Sequence, residues 1–415
     1  MQRRVVVTGL GVVSPHGNRP PAVFDALCAG RSAVAWDDEL ATVTARSRLD
    51  TDGTAPRARQ SGVDRVSQLA IAAGLDALGD AGWTADAAPW SADRAGIYAG
   101  TGFGGTSTVS EAVRRFHADE RIPPLSVVGA MANAAAAQLA IRSGFHGPAL
   151  TFSVACASSS VAISSGAKDI AAGEIDVALV GGAEAPLVPS MVASWKAMHT
   201  LAERHVDDAA ASSRPFSRSR TGLVLAEGSA FLVLEEFEHA RRRGARIYAE
   251  LAGSGTTCDA AHLTKPQVDG QVRAMRAALA RSGLAPDEIG YYNAHGTATL
   301  VGDEVEAESI RTVWGDALPS LRVSSTKSMH GHLLGAAGAL EALVTTLAIH
   351  TGRVPPNAHC DDRDAACALP LIGVGAAQPV ALQAAMSNSF AFGGTNSSLV
   401  FRRVDGCHPS GSSRR

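Results

Sequence analysis

A chain of 415 residues can bury a large core, as one domain or as two intimately packed halves. Its 46% hydrophobic and 19% charged residues, with 42 glycines and few aromatics, fit a closely packed α/β protein and exclude disorder except at the ends. The formal charge of −3, from 37 basic and 40 acidic residues, leaves no global field to draw the chain to nucleic acid or an anionic membrane, so an acidic partner must meet a local patch.

At the N-terminus, MQRRVVVTGLGVVSP passes from a basic pair through a short apolar run into a Gly-rich turn, without a cleavage site. It reads as the first core strand. Its GxG lacks the third glycine and the helix signal of a dinucleotide site. Further apolar runs at 94–102, 149–156, 176–184, 247–255, 289–297 and 321–327 alternate with helix-length segments at 65–82, 159–174, 270–283 and 331–350. The alternation predicts an α/β fold with largely parallel pairing. Even the Ala-rich run 131–144 is broken by Asn, Gln and Arg, so no membrane span is expected and the protein is expected to be soluble and cytoplasmic. The six cysteines, Cys28, Cys156, Cys258, Cys360, Cys367 and Cys407, form no CxxC pair and signal neither a disulfide framework nor zinc.

An apolar strand, a Gly-rich turn and a long Ala-rich helix occur around Cys156, and a similar succession occurs around His332. This echo suggests two halves of like topology, 1–245 and 246–403, with the charge-dense segment 235–246 as joint and a flexible tail at 404–415.

Four segments could carry chemistry. In TFSVACASSS a strand runs into Cys156 and then into small residues and a helix, the layout of a nucleophile elbow whose helix N-terminus favours a thiolate. A buried core cysteine fits the same pattern. His295 follows a strand in a loop of Gly, Thr and Ala, where α/β proteins hold catalytic groups, although a structural histidine fits there too. Asp303 and Glu306 then fall at a helix start, and capping suffices to explain them. In STKSMHGHLLG, His330 and His332 are i,i+2 and share no helix face, which argues against a metal site. Lys327, if buried, needs a carboxylate, and Glu341 is the nearest. Last, Gly393-Gly394 in SFAFGGTN could form an anion-binding nest or a tight β-turn.

In this order the four segments resemble the elongating β-ketoacyl-acyl carrier protein synthases, especially synthase II and its type II polyketide relatives, from about Arg3 to about Arg403. The resemblance implies a thiolase-like fold, two βαβαβαββ halves in an α-β-α-β-α sandwich. It implies Cys156 as nucleophile, His295 and His332 as paired histidines, Lys327 with Glu341 as a supporting ion pair, and the N–H groups of Cys156 and Phe392 as oxyanion hole. Thr297 and Thr299 match residues that bind the phosphopantetheine arm, and Phe390, Ala391, Gly393 and Gly394 belong to the gating loop.

The implied reaction is decarboxylative Claisen condensation with malonyl-acyl carrier protein. It uses no metal or cofactor beyond the carrier's phosphopantetheine. The implied partners are acyl carrier protein and a second subunit, as a homodimer or a heterodimer with a chain-length-factor-like chain. Ala391 replaces the first Gly of the usual Phe-Gly-Phe-Gly-Gly, and its Cβ predicts a less mobile gate. Phe103 matches a position at the end of the acyl channel and predicts a short pocket. Arg57, Arg59, Arg65 and Lys196 are the candidate carrier-protein patch. A degradative thiolase would need a second cysteine near FAFGGTN, and a chain-length factor would lack Cys156.

Overall fold

The computed structural model describes residues 3–47, 49, 63–84, 87–375 and 380–404. Ten strands form one sheet: β1 Val5–Val13, β2 Ala95–Gly100, β3 Ala149–Phe152, β4 Val177–Glu184, β5 Gly228–Glu236, β6 Ala249–Cys258, β7 Tyr291–Asn293, β8 Arg322–Ser324, β9 Ala384–Phe390 and β10 Thr395–Arg402. Across the sheet they run β8-β7-β9-β10-β6-β1-β5-β4-β2-β3. From either edge inward, each set of five has the same order: third, second, fourth, fifth, first. The two sets meet where β1 pairs with β6 through Val6↔Glu250 and Val7↔Ala249.

The helices repeat as the strands do. In the first half α1 (Arg65–Asp80), α2 (Ala134–Ser143) and α3 (Ser158–Ala172) precede β2, β3 and β4; in the second α4 (Val268–Ser282), α5 (Leu300–Trp314) and α6 (Ala337–Thr351) precede β7, β8 and β9. α1 and α2 cover one outer face and α4 and α5 the other, while α3 and α6 touch each other and both half-sheets. The layers are therefore α-β-α-β-α, a thiolase-like arrangement. Every residue of α6 from Ala337 to Ile349 is buried. By length and composition Leu334–Thr351 could cross a membrane, a feature the sequence reading overlooked; 89% of it is buried inside the molecule, so it is the core helix.

Pairing is less parallel than the alternation implied. β2 pairs in parallel with β3 and β4, as β7 does with β8 and β9. However, β5 and β10 pair antiparallel with their predecessors and with the first strand of their half: β10 returns through the tight turn 391–394, and β5 after the long excursion 185–227, which carries the helix Pro189–Ala197 but brings the chain back at the same end of the sheet.

The GxG of β1 also finds its reason. A Cβ at Gly11 would lie 2.0 Å from the Ala73 carbonyl oxygen of α1, and one at Gly255 in β6 would lie 2.0 Å from that of Ala274 in α4. In both halves the paired glycines let the outer helix press directly on the strand backbone.

Candidate active site

Both inner helices start with the same strained turn. Ala155 (φ 48°) precedes Cys156 and α3, and Leu334 (φ 47°) stands at the matching place before α6. A non-glycine residue with such a φ is uncommon and persists only where surrounding structure holds it. Here it aims Cys156 from the end of β3 into the seam between the halves, where His295, just after β7, and His332, just before α6, also arrive. One ligand atom from each of these three buried residues lies within 4.8 Å of the others.

The protonation of the two imidazoles follows from their partners. His332 Nε2 is 3.0 Å from Cys156 Sγ, while its Nδ1 accepts the Leu334 N–H at 3.3 Å. His295 Nδ1 lies 3.5 Å from Lys327 Nζ, a group that can only donate. In each ring Nδ1 is the acceptor, so Nε2 carries the proton. The rings meet edge to face with centroids 5.4 Å apart.

Burial, then the Lys327 charge, hold both imidazoles well below the usual histidine range. They are therefore neutral donors at physiological pH. In ¹⁵N spectra of histidine-labelled protein, His295 and His332 are expected to stay neutral with a protonated Nε2 from pH 8 down to 6. A change to imidazolium with a midpoint near the ordinary value of about 6.5 would refute this assignment.

A metal would need the other tautomer. A Cys-His-His cluster has zinc-like donors, but a ligating Nε2 must offer its lone pair while Nδ1–H is held by an acceptor. Here Nδ1 faces donors, and the Lys327 cation stands beside the cluster. His330 is elsewhere: its ring nitrogens bond the Gly331 carbonyl and Thr326 Oγ1, so the HGH triplet contributes one histidine to the site and one to the core.

Lys327 is bonded to Glu341 within the core, and both are buried. Burial pushes the Glu341 carboxyl up to about 7, with Lys327 opposing. Removing one partner alone would strand a buried charge at a cost of about 3–5 kcal/mol. Burial also pushes the Cys156 thiol up to about 12, opposed by Lys327 and by the N–H groups of Phe392 and of Cys156 itself. The same two N–H groups are directed at the sulfur.

Two carboxylates hold the loops around these groups. Glu306 accepts the N–H groups of His295 (2.8 Å) and Gly296 (2.7 Å), and Asp303 those of Ala298 (3.1 Å) and Phe216 (2.8 Å). Their work is to brace the histidine loop rather than to cap α5. Glu184, at the end of β4, accepts N–H groups from Gly102 and Phe103 in one half and Gly335 in the other, pinning the halves together. It was missed in the sequence, although a carboxylate closing an apolar strand run is a signal worth weighing.

A cavity of about 390 Å³ opens on Cys156, His295 and His332 and is lined by Thr297, Thr299, Phe390, Ala391, Phe392 and Gly394. Thr297 Oγ1 and Thr299 Oγ1 are 3.0 Å apart. Phe392 stacks on Trp195 with centroids 6.1 Å apart. Gly393 and Gly394 take the left-handed conformations of the turn (φ 84° and 80°), whereas Ala391 is not among the residues with positive φ, so its Cβ brings no strain here. The Gly393 N–H reaches the Leu263 carbonyl at 2.7 Å, tying this loop to the segment before α4.

Other candidates fall outside the cavity. Phe103 does not line it and is 43% exposed. Arg65 is held by Glu227 at 2.9 Å, and Lys196 donates to the carbonyls of Leu40 and Ala41. Arg57 and Arg59 lie outside the described residues.

Comparison with known proteins agrees with this geometry. Residues 2–240 match the beta-ketoacyl synthase N-terminal domain and residues 248–361 its C-terminal domain. A 3-oxoacyl-acyl-carrier-protein synthase 2 of Vibrio cholerae is 37% identical, with 97% of this chain and 100% of the relative covered. Nodulation protein E of Rhizobium meliloti is 39% identical with the same coverages. The structure of a type II polyketide synthase acyl-carrier protein in complex with its ketosynthase bound to the hexaketide superposes with a TM-score of 0.90 at 29% identity, covering 97% of this chain and 100% of that one. With both family domains matched in order and near-complete coverage by such relatives, the chain belongs to the β-ketoacyl synthase family and is a condensing acyltransferase.

Proposed function

We propose that Cys156 carries the primer acyl group and that His295 and His332 generate the nucleophile that extends it. The observation that supports this reading most directly is the convergence of His332 Nε2, two backbone N–H groups and the nearby His295 ring about one buried sulfur. In the first half-reaction Cys156 sulfur attacks the carrier thioester. Its proton leaves with the carrier thiol, and the tetrahedral oxyanion is held by the N–H groups of Phe392 and Cys156.

Malonyl-carrier then enters with its thioester oxygen against the two Nε2–H groups. Carbon dioxide departs, the electron pair left on carbon delocalises into an enolate, and those donors stabilise it. The enolate attacks the acyl carbonyl, and collapse of the adduct expels Cys156 thiolate, which takes up a proton. Lys327 with Glu341 keeps Nδ1 of His295 an acceptor, and Thr297 and Thr299 bind the arm of the carrier. No cofactor is required beyond the carrier's own phosphopantetheine, and a cytoplasmic location follows from soluble carrier-bound substrates.

The same reading assigns the two halves, divided near residue 245, complementary parts: one supplies the nucleophile, the other both histidines. Lys196, next to Trp195 at the cavity wall, and Arg65 remain candidates for the carrier-protein patch. A second subunit is supported by an apolar surface: Val113, Phe116, Leu125, Val127 and Ile141 are exposed, as is Leu150 on the open edge strand β3. Phe103 lies half exposed on the segment bonded to Ser153, so a subunit covering this surface would enclose it near Cys156 as an acyl-channel wall. The retained nucleophile favours the catalytic subunit, not the chain-length-factor-like one. Incubation with acyl-carrier should add one acyl mass to the protein, and subsequent malonyl-carrier should remove it and yield carrier bearing a product two carbons longer. Turnover with no acylated protein at any time would reject the scheme.

A further inference from the structure

Gln271 stands in the first turn of α4 and is 1% exposed. Its carboxamide oxygen is buried without a hydrogen-bond partner, yet the residue lines the catalytic cavity together with Thr297, Thr299 and Gly302. One turn further along α4, Met275 Sδ accepts the Tyr292 hydroxyl at 3.6 Å, and that hydroxyl also meets Glu306, which holds the His295 loop. Gln271 is thus on the α5 side of the cavity, the wall that carries the two threonines.

Nothing in the packing of α4 asks for an amide here. Val272, Met275 and Leu279 supply its buried apolar contacts. An unpaired carboxamide oxygen in the interior destabilises a fold, and an apolar side chain of like volume would relieve that cost. Its presence is explained if a partner arrives with the substrate.

We infer that the Gln271 carboxamide is the hydrogen-bond partner of an amide group in the arm of the carrier thioester, and so a specificity residue for donors whose thiol bears amides. A carboxamide can accept from an amide N–H through its oxygen and donate to an amide carbonyl through its NH₂, which suits this chemistry better than a hydroxyl alone. The inference rests on reading the cavity as the carrier-thioester site. It adds a residue that neither motif nor spacing marks.

The test compares two extender substrates, malonyl-pantetheine and the S-ethyl thioester of malonate, which lacks both amides, in the wild type and in Gln271→Leu and Gln271→Met. The preference of the wild type for malonyl-pantetheine, as a ratio of kcat/KM values, is expected to fall about tenfold in both variants, through KM. Their melting temperatures are expected to equal or exceed that of the wild type. An unchanged preference would overturn the inference. So would a lowered melting temperature with equal loss on both thioesters, which would make Gln271 a packing residue. Should the wild type fail to be acylated at Cys156 or to use malonyl-pantetheine at all, the reading of the cavity itself has failed, and the inference falls for that separate reason.

Discussion

Cys156→Ala is expected to abolish acylation and condensation while leaving the fold intact. Cys156 is 7% exposed and its sulfur makes one side-chain hydrogen bond, to His332 Nε2, so its loss opens little space and strands no charge. Cys28, Cys258, Cys360 and Cys367 lie outside the catalytic cavity lining and cannot take over. Intact mass after incubation with acyl-carrier should show one adduct on the wild type and none on the variant. An adduct persisting on Cys156→Ala would remove the nucleophile assignment. Cys156→Gln separates the half-reactions further. A carboxamide can occupy the place of the acylated sulfur with its oxygen toward the Phe392 N–H, so malonyl decarboxylation should survive, measurable as carbon dioxide released without condensation.

The histidine variants should show the reverse pattern. His295→Ala or His332→Ala removes one of two donors to the enolate oxygen, and the loss of one such preorganised donor costs about two to three orders of magnitude in rate. On the proposed scheme that loss belongs to decarboxylation, because there the oxyanion of acyl transfer is held by backbone N–H groups that neither substitution touches. Radiolabelled acyl transfer and malonyl decarboxylation measured on the same preparations would tell: equal losses in both steps would mean that the histidines act on Cys156 rather than on the enolate. Stoichiometric zinc by elemental analysis, with activity lost on chelation, would overturn the donor tautomers on which this prediction stands.

Cys156 and His295 were legible as candidates because each stands where an apolar strand gives way to small residues, and such junctions deliver side chains to the end of a sheet whatever the long-range packing; His332 was marked only by the family resemblance. Lys327 and Glu341 were legible for a different reason, since a buried ammonium demands a carboxylate. The duplication was legible only as an echo, because its proof lies in strand order and in the matching left-handed turns at Ala155 and Leu334.

What stayed hidden depends on contacts between distant segments. Glu184 reaches Gly335 across the seam, Arg65 is spoken for by Glu227, and Gln271 becomes notable only when its carboxamide is seen without a partner. No local spacing encodes these. The antiparallel strands were misread for the same reason, since alternation along the chain says nothing about which strand returns beside which.

The wholly buried helix α6 has a consequence for how the protein is made. During synthesis the first half emerges with all five of its strands, but the inner side of that half-sheet has only α3 to cover it until residue 351 has followed. Until then an apolar face destined for the middle layer stands open to water, and a nascent chain in that state is prone to self-association. The two halves look like copies of one unit, yet neither is a finished object alone. A chain truncated before α6 is therefore expected to aggregate or be degraded rather than to persist as half an enzyme.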